Sequence, residues 1–253
     1  MYIKNINNFN SEIIHAPFIG IAAKLSRFNS GWHLHSKHQL LLAKDGSIVI
    51  EINQYRYFIP QGCAIWIPAQ TKHKTLAQNE TELRSLFFKE NLSLPDNVLV
   101  ITVTPLLREI IDTMAHWPWD KPHNEQFSLM TVFKEELNTA LQHSLKLMLP
   151  QDRRIAPLLE MINQNIFPPK LTEIENTIGA SSKTIGRIFL RETGLNYQAW
   201  RQQWRLMKAM ELLAAKHAVS TVAQQLEFSS SSAFIAFFVK HTNQTPGRFL
   251  ASL

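Results

Sequence analysis

The sequence predicts an α+β chain of two domains. A β-barrel or sandwich with a helical pair comes first. An all-α domain of two helix-turn-helix units joined by a long helix follows. Three observations carry this. Residues 15 to about 90 hold short period-two apolar runs between turn signals. Residues 105–149 switch to a period near 3.6. From Arg153 onward the chain is a series of short amphipathic helices bounded by capping residues.

Composition frames the reading. The 253 residues are 45% hydrophobic and 18% charged, which excludes collagen, coiled coil and disorder. The length suits two ordinary domains of roughly 100–150 residues. One cysteine, Cys63, excludes an internal disulfide framework and reads as a small buried hydrophobe. No apolar run approaches the roughly 18 residues of a membrane helix. Met1–Asn10 is polar where a signal peptide carries its apolar region. The expectation is a soluble, cytoplasmic chain with no membrane partner. The net charge of +6 is unevenly spread: residues 1–149 hold 14 Lys/Arg against 13 Asp/Glu, and residues 150–253 hold 12 against 7. A local basic excess is the footprint of a polyanion partner.

In the first segment, Ser47–Ile52 alternates cleanly, Tyr55–Ile59 alternates in part, and Ala64–Ile67 is an apolar run closed by Pro68. Leu83–Phe88 is a further strand. Asp45-Gly46, Asn53-Gln54 and Pro60-Gln61-Gly62 supply the turns. Leu106, Leu107, Ile110, Ile111 and Met114 then form one helical stripe. Leu129, Met130, Phe133, Leu137, Leu141 and Met148 form a second, which Pro150 closes. The domain boundary is placed at Leu149–Arg154.

In the C-terminal segment Ile155, Leu158, Leu159, Ile162 and Ile166 mark a helix ended by Pro168-Pro169. Leu171, Ile174 and Ile178 mark the next, ended by Gly179. Ser181 caps a helix with Ile185, Ile188 and Phe189 inside, and Gly194 ends it. This is a helix-turn-helix whose second helix exposes Ser182, Lys183, Gly186 and Arg187 as candidate DNA contacts. A second unit follows: Ser220 caps, Val222, Ala223 and Leu226 pack, Ser230 caps, and Phe234, Phe237 and Phe238 pack. Between the units runs Tyr197–Ala215, capped by Asn196. At about 1.5 Å per residue it spans roughly 28 Å, close to one DNA turn of roughly 34 Å.

Ile185–Phe189, Arg205–Leu213 and Phe228–Phe234 running to Thr245–Phe249 resemble the DNA-binding domain of the AraC/XylS family over about 100 residues. The resemblance implies base-facing positions at Lys183, Gly186 and Arg187 in the first unit. In the second it implies Ser231, Ser232, Ile235 and Ala236. Two residues depart from the family pattern. Glu175 stands where Ala is usual, and Thr172–Glu175 reads alternatively as a capping box. Glu227 stands where the turn usually has Gly. The second recognition helix has no Arg or Lys before Lys240, so the first unit is expected to supply most base discrimination.

His33-x-His35-x-x-x-Gln39, Pro60-x-Gly62 and His73 resemble the two cupin motifs. In an extended strand residues 33, 35, 37 and 39 share a face. Metal-binding cupins set two His, a Glu and a later His around one ion. Here His33, His35 and His73 match, and Gln39 replaces the Glu. The cluster reads either as a divalent transition-metal site or as pocket hydrogen-bonders for an organic effector. Trp32 and Trp66 either wall that pocket or fill the barrel. The resemblance also implies dimerisation through the helical pair, with packing on the barrel as the equal alternative.

Taken together these resemblances imply a cupin-like effector-binding domain (1–100), a helical dimerisation or linker region (101–150) and an AraC-type DNA-binding domain (151–253). The function they imply is a sequence-specific, double-stranded-DNA-binding transcriptional regulator, not an enzyme. It would act as a homodimer and sense a small molecule or metal ion. The alternative is a metal-dependent cupin enzyme.

Overall fold

The computed structural model describes residues 1–77, 79–89, 94–143, 145–164 and 166–251. The chain divides into two units, Met1–Asn53 with Phe58–Leu145, and Gln54–Tyr57 with Lys146–Ala251.

The first unit is built on two sheets. Its strands are β1 (Tyr2–Ile3), β2 (Phe18–Leu25), β3 (Phe28–Asn29), β4 (Lys37–Asp45), β5 (Ser47–Ile52), β6 (Tyr55–Pro60), β7 (Cys63–Ile67), β8 (His73–Ala77), β9 (Thr81–Lys89) and β10 (Leu99–Thr102). One sheet has the order β1-β2-β9-β4-β7-β10, and in the other β6, β5, β8 and β3 are successive neighbours. Register assigns the faces of the larger sheet. Leu40 lies opposite Leu86 and Trp66, and Gln39 opposite Phe87 and Ile67. Successive side chains alternate, so Leu40, Leu42, Trp66, Leu86 and Phe88 share one face while Gln39, Ser85 and Phe87 share the other.

The first of these faces is covered by two helices, α1 (Pro105–Ala115) and α2 (His123–Thr139), through Leu107, Ile111, Met114, Phe133 and Leu137. Thr104 caps α1 by accepting the Leu107 N–H at 3.0 Å, with Pro105 at the first helical position. Asp112 on α1 accepts from Arg84 at 2.5 Å and from Lys44 at 2.9 Å. Gly20 on β2 lets α1 close on the sheet, since a Cβ there would sit 2.0 Å from the carbonyl oxygen of Met114.

The helical pair therefore differs from its sequence expectation. α2 stops at Thr139, because Ala140 is extended and the backbone beyond it bonds to β10: Thr102 N–H donates to Leu141 O, and His143 N–H to Val100 O, both at 2.8 Å. Leu141 is exposed in that connection, not on a helix face. Met148 lies in β11 (Lys146–Met148), paired antiparallel with Tyr55–Tyr57. Of the apolar residues named for pairing two chains, Phe133 and Leu137 are buried against the sheet, and Leu129 and Met130 pack beside them.

The second unit is helical: α3 (Ala156–Asn163), α4 (Leu171–Ile178), α5 (Ser182–Thr193), α6 (Tyr197–Ala214), α7 (Val219–Gln225), α8 (Ser231–Thr242) and α9 (Pro246–Ala251). Ser181 caps α5, Asn196 caps α6 and Ser230 caps α8, each by accepting a backbone N–H three residues on. Gly179 and Gly194 end α4 and α5 in the left-handed conformation. Three details depart from expectation. α3 ends at Asn163, where Gln164 N–H donates to Glu160 O, so Ile166 and Pro168 lie outside it. α7 starts after Ala218, which puts Ser220 inside the first turn and not at the cap. The box at the start of α4 uses Glu173, whose carboxylate accepts from the Lys170 N–H at 3.0 Å; Thr172 and Glu175 do not form it.

Aromatic packing fills this unit. Phe189 meets Tyr197 at 4.9 Å and Trp200 at 5.0 Å, and Phe238 lies between Phe234 and Phe249. Phe234 and Phe238 are core residues, as their spacing indicated.

Candidate functional site

Two constellations stand out, one in each unit. In the helical unit α4–α5 and α7–α8 are two helix-turn-helix pairs, with α6 between them. At about 1.5 Å per residue the 18 residues of α6 span roughly 27 Å. On α5 Lys183 and Arg187 are exposed and Gly186 is half-buried. A Cβ on Gly186 would meet nothing within 4 Å, so no packing inside the chain demands a glycine there. A helix-interior glycine costs about 1 kcal/mol against alanine.

Ser182 has a different position from its neighbours. Its N–H donates to the Glu175 carboxylate, and its hydroxyl donates to Leu171 O at 3.3 Å. The bonds from Ser182 hold the Glu175 carboxyl below the usual carboxylate range. Glu175 thus caps α5 from α4, which explains the departure from the family's alanine. On α8 Ser232, Ile235 and Ala236 are exposed and Ser231 is half-buried.

Glu227 adopts the left-handed conformation, φ 56°, at the α7–α8 turn. Its carboxylate accepts from Arg201 on α6 at 2.9 Å. Arg201 also donates to Pro168 O at 2.6 Å and stacks on Phe167 at 4.2 Å. Arg205 lies over Phe167 and Phe228, and burial together with Arg201 pushes it down to about 10.

In the first unit Gln39 and Ser85, on the second face of the larger sheet, lie beside a polar cluster that includes His73 on β8 of the other sheet. His33, His35 and His73 each offer one ring nitrogen within 4.8 Å of the others. Ring centroids are 4.3 Å apart for His33–His73 and 5.0 Å for His35–His73. Each Nδ1 faces a backbone carbonyl two residues away: Gly31 at 3.1 Å, Lys37 at 2.6 Å and Thr71 at 2.8 Å. An Nδ1–H that donates there leaves the Nε2 lone pair for a ligand, the tautomer that metal-binding imidazoles use.

His73 is fully buried, and its Nε2 has no hydrogen-bond partner among the described residues. His35 Nε2 lies 3.1 Å from the Gln39 side chain, which bonds Ser85 at 2.9 Å. Burial lowers His35 below the ordinary histidine range and pushes His73 down to about 3, so both rings are neutral near pH 7. The unpartnered Nε2 of neutral His73 fits a transition-metal ion, and His35 joins it as a ligand once its Nε2 turns from the Gln39 oxygen to the ion.

The structure thus brings His33, His35, Gln39 and His73 together. It does so by a route the alternation argument missed: β4 begins only at Lys37, and His33 is held by an isolated bridge to His73. Trp66 is not with them. It lies on the opposite face, stacked on His38 at 5.3 Å with its indole N–H on Pro95 O. Trp32 is exposed, with the Lys74 ammonium 5.3 Å from its ring. Cys63 is buried, and burial pushes its thiol up to about 11, as for an inert small hydrophobe. Ser85 was missed. It is the one small hydroxyl within the apolar run Leu83–Phe88. Glu12, outside the motif, accepts from the N–H and hydroxyl of Ser36, both at 3.1 Å.

No described helix is long and apolar enough to cross a membrane. Residues 15–163 match the AraC-like ligand binding domain, and residues 175–252 match a helix-turn-helix domain. The HTH-type transcriptional regulator NimR of Escherichia coli K12 is 29% identical over 258 residues, covering all of this chain and 94% of its own. RipA of Corynebacterium glutamicum, also an HTH-type transcriptional regulator, is 32% identical over 102 residues, 40% of this chain and 31% of its own. Among solved structures, ToxT from Vibrio cholerae covers 94% of this chain and 99% of its own at 12% identity, with a TM-score of 0.38. The alternative of a cupin enzyme gives way to the helix-turn-helix match and to NimR, a transcriptional regulator matched over the whole chain. The chain belongs to the AraC family of DNA-binding transcriptional regulators, with an AraC-like ligand-binding domain ahead of its helix-turn-helix domain.

Proposed function

We propose that this regulator reads a divalent transition-metal ion with His33, His35 and His73, and that the ion sets its affinity for double-stranded DNA. The observation that carries the reading is His73 Nε2, buried and unpartnered while the Nδ1 atoms of all three rings face backbone carbonyls. A buried polar atom without a partner is costly, and a ligand removes that cost. Three imidazoles suit Zn, Ni, Cu or Fe(II); the ion would act as an electrostatic and geometric tie between two chain segments, the His33–His35 stretch and β8. Gln39 orients His35 and adds no charge.

The domain division proposed is 1–100 for the effector domain, 101–150 for the helical region and 151–253 for the DNA-binding domain. DNA contacts are assigned to Lys183, Gly186 and Arg187 on α5 and to Ser231, Ser232, Ile235 and Ala236 on α8. Ser182 serves the α4–α5 turn. Two copies are proposed to pair. With Phe133 and Leu137 spent on the sheet, pairing would use what α2 leaves outside, including Phe127 at 64% exposure. The working place is the cytoplasm, where the DNA is.

A second reading, an organic effector, rests on one observation. A cavity of about 220 Å³ is lined by Phe18, Phe127, Met130, Lys89 and Lys134 among others. Its apolar walls and two ammonium groups suit a small organic anion.

The experiment is ion content and DNA selection on the full chain, purified without chelator, with Ni(II), Zn(II) or Fe(II) added or withheld. The metal reading expects about one ion per chain, its loss in His33→Ala and His73→Ala, and a metal-dependent shift in DNA affinity. Ion-free protein that selects DNA unchanged by any metal overturns it and leaves the organic effector.

A further inference from the structure

The two reading helices differ in chemistry. α5 exposes Lys183 and Arg187, both hydrogen-bond donors. α8 exposes Ser232, Ile235, Ala236 and Val239, spaced i, i+3, i+4 and i+7 along one stripe. Ile235 is 37% and Val239 36% exposed, while Phe234 and Phe238 on the other side are buried. No Arg, Lys, Asn or Gln occurs from Ser231 to Val239. Two branched apolar side chains thus stand in water on the second helix of a DNA-binding unit. The cations nearest in sequence, Lys240 and His241, come in the last turn.

In the major groove only one base offers an apolar group, thymine with its C5-methyl; the other base edges offer donors and acceptors. An isoleucine laid on a donor or acceptor strips its water and returns no hydrogen bond, which is unfavourable. Laid on a methyl it buries apolar area on both partners. The same stripe therefore favours thymine and disfavours the other bases.

We infer that α8 reads the C5-methyl groups of thymine in its half of the operator, through Ile235 and Val239 with Ala236 between them. α5 reads its half by hydrogen bonding. This rests on the assignment of α8 to the groove.

The test uses the full chain and a duplex chosen by random selection. Arg187→Ala identifies the half read by α5, because its base preference changes there alone. Each thymine of the other half is then replaced by deoxyuridine, which keeps base pairing and removes only the methyl. One or more of these replacements should weaken binding about threefold to fivefold, the worth of one buried methyl. The same replacement in the α5 half should change binding less than twofold. Ile235→Ala should abolish the uracil effect at its own position. Its fold is checked by thermal melting, and the DNA-side substitution is independent of that. Uracil tolerated throughout the α8 half overturns the inference, as does a uracil loss that Ile235→Ala leaves intact, or an α8 half with no base preference. Failure to select any sequence is a different result: it overturns the groove assignment itself.

Discussion

Arg201 Nη2 donates to Glu227 Oε2 at 2.9 Å, joining the helix between the two reading units to the turn of the second. Arg201 is buried and Glu227 half exposed, so the charge attraction is partly screened. Glu227 also bears a left-handed backbone, about 1–2 kcal/mol for a non-glycine residue. Glu227→Gln should therefore destabilise the chain by about 1 kcal/mol. Glu227→Gly, which loses the same carboxylate but relieves the backbone, should be nearer neutral. Urea denaturation followed by far-ultraviolet circular dichroism decides it. A glycine variant less stable than the glutamine variant would show that the turn carries no strain.

Gly186→Ala should separate stability from reading. Nothing lies where the added methyl would go, and alanine favours the helix by about 1 kcal/mol, so the melting temperature should rise. DNA affinity should fall at least about tenfold, near 1.4 kcal/mol, as the methyl meets the groove wall. A variant that is more stable and binds unchanged would remove Gly186 from the interface.

Gly20→Ala should act in the opposite sense. There the methyl would stand 2.0 Å from the Met114 carbonyl oxygen, so α1 must shift off the sheet. A loss of about 3 kcal/mol is expected from forced overpacking against backbone. Thermal melting reads it, and a loss below about 1 kcal/mol would mean that α1 yields easily.

Acid should act through Asp112. Burial pushes its carboxyl up, but the bonds from Arg84 and Lys44 outweigh this and hold it below the usual carboxylate range. A folded value lower than the unfolded one, roughly 3.9, gives stability that is present above about pH 4 and lost as pH falls through the folded value. The stability gap between the wild type and Asp112→Asn should thus be constant from pH 7 to about pH 5 and shrink as pH falls below about 4. Denaturant midpoints across that range measure it. A gap independent of pH would assign the effect to packing.

Gln39→Glu should strengthen ion binding. Gln39 lies 3.1 Å from His35 Nε2, so a carboxylate there adds charge beside the three imidazoles. Affinity for Zn(II) should rise at least about tenfold by calorimetry. The ion-free variant should melt lower, because it buries a negative charge among neutral partners, His35 and Ser85. Unchanged affinity would place Gln39 away from the ion.

Much of this was legible in the residues. Period-two alternation located β5 and β6, and Ser181, Asn196 and Ser230 announced three helix starts because capping is a local act. The caps misplaced at Ser220 and Thr172 were local slips of two residues, and the larger misses were set by distant partners. The apolar spacing of Leu141 and Met148 continues a helix on paper, yet β10 and Tyr55–Tyr57 claim that backbone for pairing. Trp66 and Gln39 sit in neighbouring strands, and only the register shows that they face opposite ways. The histidine cluster was found through its motif, while the bond from Gln39 to Ser85 joins residues 46 apart that no local pattern links.

His33 and His35 lie on a stretch outside every strand, and the backbone bonds between His33 and His73, 3.0 and 2.9 Å, are what tie it to β8. Opening that stretch also breaks the Gln70 N–H to His35 O bond at 2.9 Å and the bonds of Ser36 to Glu12, but no pairing within either sheet, so it is a local motion that leaves the barrel standing. If an ion is held there, it leaves on the clock of one loop. The regulator's memory of an exposure would then last as long as that loop stays shut, and it would reset without unfolding.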